Sequence, residues 1–118
     1  MLAPSEVAAR IVQALDDKKA KDIKIIKTGE LTVLADYFII CTATSAPHVK
    51  TLTETTEKTL AEADEPVRRR EGYRDGGWVL LDFSCVIVHI FLEDMRAFYD
   101  LERLWSDAQV IETESMLS

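Results

Sequence analysis

Gly76-Gly77-Trp78-Val79-Leu80-Leu81-Asp82-Phe83, Cys85-Val86-Ile87-Val88-His89-Ile90-Phe91 and Asp94-Met95-Arg96-Ala97-Phe98-Tyr99-Asp100-Leu101-Glu102-Arg103-Leu104-Trp105 follow one another almost without a spare residue. They read as strand, strand and helix, the two strands forming a hairpin that turns near Ser84. Alternation puts Trp78, Leu80 and Asp82 on one face and Val79, Leu81 and Phe83 on the other. On the return strand Val86, Val88 and Ile90 share a face, as do Cys85, Ile87, His89 and Phe91. The purely aliphatic sets predict packing beneath helices. That leaves the face with Trp78, Asp82 and His89 partly open, and an aromatic residue beside a few polar groups is what a protein-binding hot spot uses. Periodicity alone also admits, and slightly favours, Trp78 as core and His89 as a hydrogen-bonded buried histidine. The open arrangement predicts that Trp78→Ala keeps a near-native melting temperature.

Working outward, Pro4 and Ser5 mark a helix start, and Ala8, Ile11, Val12 and Leu15 fall on one helical face. Ile23 to Lys27 reads as a short strand closed by Thr28-Gly29. After the link Glu30 to Ala35, Tyr37-Phe38-Ile39-Ile40-Cys41 is apolar throughout, the pattern of a central strand covered on both faces. Ser45 can cap the next helix, with Pro47 in its first turn and Val49, Leu52, Thr56, Leu60 and Ala63 at helical spacing. A strand, a turn and a helix in that order call for a crossover to another strand of the same sheet. Val67 to Tyr73 is a weak, charged strand suited to a sheet edge, and Asp75-Gly76-Gly77 is a turn. Glu93 and Asp94 open a last helix with the stripe Met95, Phe98, Leu101, Trp105 and Ala108. The whole predicts one domain over residues 1–112, an α/β or α+β fold with a mixed sheet packed by helices, and a disordered acidic tail over 113–118.

The chain has 118 residues, 47% hydrophobic and 30% charged, which is the size and composition of one globular domain. No apolar run reaches the roughly 20 residues that span a bilayer, and the start lacks a signal peptide's basic and apolar regions, so a cytoplasmic address is expected. Cys41 and Cys85 fall in predicted strands and read as small buried hydrophobes. With two histidines and no CxxC or HxxxH spacing, no metal is expected. The net charge of −7 makes direct specific binding of nucleic acid improbable and favours a basic protein surface as partner. Arg68-Arg69-Arg70, alternating between the faces of a strand, forms no single patch.

The turn Thr42 to Ala46 has no glycine, and neither G-x-G-x-x-G nor the P-loop pattern occurs. A nucleotidyl-transfer site would want Gly-Ser at this helix start, where Thr44-Ser45 stands, and an Asp-x-Asp on the next strand, which is missing. His48 and His89 are the candidate general bases, and Ser84 or Cys85 lies too close to His89 along one strand for a triad. No catalytic residue, metal ligand or cofactor is therefore assigned, which points to a binding protein.

Leu34-Ala35-Asp36-Tyr37-Phe38-Ile39-Ile40, Gly77 to Asp82, Val86 to Phe91 and Arg96 to Trp105 together resemble the ribosomal silencing factors, the Iojap family, from Asp22 to Ala108. The resemblance implies a nucleotidyltransferase-like fold without that superfamily's catalytic acids. It also implies a factor that docks on ribosomal protein fourteen of the large ribosomal subunit, blocks joining of the small subunit when nutrients are scarce, and is a homodimer when free. Carried over position by position, it implies partner contacts by Trp78 as apolar anchor, Asp82 as acceptor and His89 beside them, with Tyr99, Asp100 and Glu102 from the last helix. The sequence departs from the pattern at Ala43, usually glycine, at Pro47, usually arginine, and at Ser84-Cys85, usually Gly-Asp. A small enzyme of nucleotidyl transfer and a dimerisation module for another partner are the alternatives.

Overall fold

Pro4 needs no hydrogen-bond partner for a backbone N–H and has its φ preset for a helix, and α1 (Pro4–Asp17) begins on it. Val7, Ala8, Ile11, Val12, Ala14 and Leu15 form its buried stripe. The computed structural model describes residues 3–27, 36–72 and 77–93, and the backbone of residues 109–111. After α1 the chain turns through Lys19 at φ 64° into β1 (Lys21–Lys27). Asp22, at φ 49°, is the extra residue of a bulge where Lys21 faces Thr42 and Lys24 faces Ile40.

β2 (Tyr37–Ala43) runs antiparallel to β1 and is buried from Phe38 to Ala43, as a central strand should be. α2 (Ala46–Glu62) starts at Ser45, whose hydroxyl accepts the His48 N–H at 3.2 Å, and buries Val49, Leu52, Thr53, Thr56 and Leu60. Then come β3 (Arg69–Glu71), β4 (Trp78–Asp82) and β5 (Val86–Leu92), and finally β6 (Gln109–Ile111). The sheet order is β3-β4-β5-β2-β1-β6. β2 and β5 are parallel and every other neighbouring pair is antiparallel. α2, β3 and β4 are thus the crossover that brings β5 back beside β2. The charged β3 lies at the edge, as its composition predicts.

β6, which pairs with β1 through Ile25↔Ile111 and Ile26↔Val110, is an element the sequence reading does not contain. Three residues carry no measurable period; only the β-branched Val110-Ile111 hints at a strand. The expected last helix, the link over 28–35, the turn before Gly77 and the acidic tail lie outside the described residues.

α1 and α2 both lie on one face of the sheet, over Ile25, Ile39, Cys41, Val79, Leu81, Val86, Val88 and Ile90. The aliphatic sets of the hairpin therefore sit beneath helices, as their composition predicts. The opposite face carries a second cluster, Ile26, Phe38, Ile40 and Phe91, with Trp78 and Ile87 packed against it. It is this face that holds Trp78, Asp82 and His89.

Candidate protein-docking face

Along the second face exposure rises from the sheet's centre to one edge. On β2, Phe38, Ile40 and Thr42 are buried, and on β5 His89 and Phe91 are 5% and 1% exposed. On β4, Trp78, Leu80 and Asp82 are half-buried, as is Ile87 near the start of β5. On β3, Arg69 and Glu71 are exposed, facing Asp82 and Leu80 in register and forming an ion pair at 3.7 Å. Trp78, Leu80 and Ile87 thus make an apolar strip with Asp82 at its end and a charged rim beyond. Sequence alternation groups Leu80 with Trp78 and Asp82 and groups Ile87 with His89, but assigns neither a contact, and it reads Arg69 only as part of an edge strand.

Trp78 pairs with Phe91 across the β4–β5 ladder, and His89 lies diagonally from it, opposite Leu80. The indole stacks on Phe91 with centroids 5.3 Å apart and an interplanar angle of 16°. Its Nε1–H donates to His89 Nδ1 at 3.1 Å. An indole N–H can only donate, so Nδ1 carries a lone pair and the imidazole proton of neutral His89 sits on Nε2. Among the described residues Nε2 has no hydrogen-bond partner. Burial also holds the His89 pKa down at about 4, against an ordinary 6.5, so the ring is neutral at neutral pH.

This corrects the expected open position of His89. Phe38 on one side, at 5.3 Å, and Phe91 on the other, at 6.1 Å, close over the ring, and β5 lies between β2 and β4 where both neighbours contribute large side chains. His89 is the hydrogen-bonded buried histidine that periodicity admitted, while Trp78 is half core and half surface.

Asp82 has a structural duty too. Its carboxylate accepts the Ser84 N–H at 2.7 Å, and Cys85 N–H bonds back to the Phe83 carbonyl at 3.0 Å around Ser84, which sits at φ 76°. The hairpin thus closes in a γ-turn of a strained kind, at the place where the family resemblance leads one to expect glycine. Cys85 belongs to this turn and not to a strand. Burial pushes its thiol pKa up, and the nearby charges of Asp36 and Glu65 add to the effect.

The remaining candidates are dispersed. Arg70 turns toward the helix side and pairs with Glu57 of α2 at 3.1 Å, so the arginine run does divide between faces. At the start of α2, His48 Nδ1 accepts the Thr44 N–H at 3.0 Å, which leaves Nε2 to donate to the Lys18 carbonyl at 2.8 Å. His48 thus ties the turn after β2 to the end of α1. Among the described residues no three His, Cys, Asp or Glu side chains gather to hold a metal, and no helix is long and apolar enough to cross a membrane. Tyr99, Asp100 and Glu102 lie outside the described residues.

A mixed sheet with helices on one face and an aromatic cluster opening at the edge of the other defines a small one-domain α/β protein. The chain belongs to the ribosomal silencing factor family: the family model described as "Ribosomal silencing factor during starvation" matches residues 2–118. It is 36% identical over 117 residues to the ribosomal silencing factor of Halalkalibacterium halodurans, a match covering 99% of this chain and 100% of that one. With the chloroplastic protein Iojap of Arabidopsis thaliana it shares 33% over 105 residues, 89% of this chain and 44% of that one. A crystal structure of a Chromobacterium violaceum protein superposes with a TM-score of 0.87 at 36% identity, covering 89% of this chain and 88% of that one.

Proposed function

We propose that this protein docks on the large ribosomal subunit through the β4 side of its second sheet face, contacts ribosomal protein fourteen there, and blocks joining of the small subunit by occupying the space between them. The observation that carries this reading is the strip of Trp78, Leu80 and Ile87, half-exposed at the margin of an otherwise sealed face and ending in the Asp82 carboxylate. An aromatic anchor with aliphatic neighbours and a charged rim is the anatomy of a hot spot. A net charge of −7 suits a basic partner. Membership of the silencing-factor family makes the ribosome the place to look. Tyr99, Asp100 and Glu102 complete the proposed contact, and the free protein is proposed to be a cytoplasmic homodimer. No chemistry is required, because exclusion by volume is enough.

Co-sedimentation at moderate salt tests the proposal. The protein should pellet with isolated large subunits, be displaced by purified ribosomal protein fourteen, and lower the yield of joined ribosomes when small subunits are added. Failure to pellet, or turnover of a nucleotide with magnesium, would sink it.

A further inference from the structure

We infer that His89 is a positioning residue for the docking anchor: its Nδ1 lone pair receives the Trp78 indole N–H and fixes the angle at which the half-exposed indole leaves the sheet. This rests on the docking reading above. Phe91, Leu80 and Ile87, which flank Trp78 on this face, carry no acceptor that could do the same. Stacking on Phe91 alone would leave the indole free to turn over within its plane, because a stack is indifferent to which ring edge faces which way. The 3.1 Å bond to Nδ1 selects one ring edge, and the imidazole also lies against the indole with centroids 5.9 Å apart. The imidazole is itself fixed, being enclosed between Phe38 and Phe91 at 5.3 and 6.1 Å.

The ring is 5% exposed, and a buried polar ring is retained here where an aliphatic side chain could also fill the slot. What the imidazole supplies and an aliphatic residue cannot is one acceptor aimed at Trp78. An anchor ordered before contact gives up less rotamer freedom on docking, so the arrangement acts on affinity more than on folding.

Two substitutions separate these effects. His89→Leu removes the acceptor while keeping an apolar side chain of similar bulk; His89→Asn offers an amide oxygen near the position of Nδ1. The Trp78 indole N–H resonance, assigned by its absence in Trp78→Phe, reports the bond directly. For His89→Leu we expect an unfolding temperature equal to or above that of the parent, an upfield, faster-exchanging indole N–H, and binding to large subunits about tenfold weaker. His89→Asn should restore the resonance and most of the affinity. Parent-like binding by His89→Leu, with Trp78→Ala unable to bind, would overturn the positioning role and leave the docking reading standing. Early unfolding of the leucine variant without rescue by asparagine would make His89 a packing residue and also overturn it. If the parent does not bind large subunits, or Trp78→Ala binds as well as the parent, the docking reading fails and the positioning role falls with it.

Discussion

Trp78 serves packing and surface at once, which changes what its removal should do. Truncating a fully buried tryptophan costs about 3–5 kcal/mol. Trp78 is half-buried but stacks on Phe91 and donates a hydrogen bond, so Trp78→Ala should lose about 2 kcal/mol and melt roughly 8 °C lower, replacing the near-native melting expected of an open anchor. Thermal unfolding of Trp78→Phe, which keeps a ring over Phe91, should fall closer to the parent. For His89 the sign follows from a folded pKa of about 4 below the unfolded 6.5. Between those values the unfolded chain binds the proton more readily, so the native state loses stability as pH falls through that window and is unaffected by this group above it. Urea unfolding at pH 7 and pH 4.5 should show about 2 kcal/mol more acid loss in the parent than in His89→Leu. Asp82→Asn keeps the acceptor for Ser84 N–H and should fold normally while weakening the salt-dependent part of docking. Asp82→Ala should also lose about 1 kcal/mol of stability, and comparing the two melting curves isolates the turn bond. Alternation along β4 and β5 was enough to place Trp78, Asp82 and His89 on one face. Depth was not legible, because what encloses His89 is Phe38 on β2, and the Ile40↔His89 register that brings β2 alongside is not written in either strand alone.

Turns carry the next set of consequences. Ser84 holds φ 76°, where a Cβ costs about 1–2 kcal/mol, so Ser84→Gly should raise stability by about 1 kcal/mol, read as a higher denaturation midpoint with unchanged slope. The reverse holds at Gly72. Its φ is 79°, and a Cβ there would run into the Trp78 carbonyl oxygen, a backbone atom that cannot swing aside. Gly72→Ala should cost about 2 kcal/mol or more and disturb the indole N–H resonance of Trp78, because the end of β3 and the start of β4 cannot both keep their places. Helix existence was legible from the Pro4 and Ser45–Pro47 start signals and from the stripes behind them. Strand ends were less so: β1 begins at Lys21, two residues before its apolar run, because a bulge at Asp22 lets polar residues pair with β2. Cys85 looked like strand because it precedes a β-branched run, whereas the γ-turn at Ser84 depends on Asp82 reaching forward to a backbone N–H.

For the whole molecule, extents of 33 × 31 × 27 Å set the space it would fill in the proposed docking, where exclusion is by volume. At an ionic strength of about 0.15 M charges are screened beyond about 8 Å, so the net charge of −7 should speed encounter with a basic partner at low salt and contribute little once the apolar strip has seated. The parallel pairing of β2 with β5 has a different kind of consequence. β2 ends at Ala43, whereas β5 starts at Val86, and everything between must be made before the two can meet. During synthesis β2, a buried, largely apolar strand, therefore leaves the exit tunnel with β1 as a partner on one side and an open edge on the other. Loop-closure entropy makes such a non-local pair slow to form, and an uncovered apolar edge is prone to aggregate. The β4–β5 hairpin, local and quickly closed, is the piece that arrives to seal it, so folding late in translation depends on the same two strands that present Trp78.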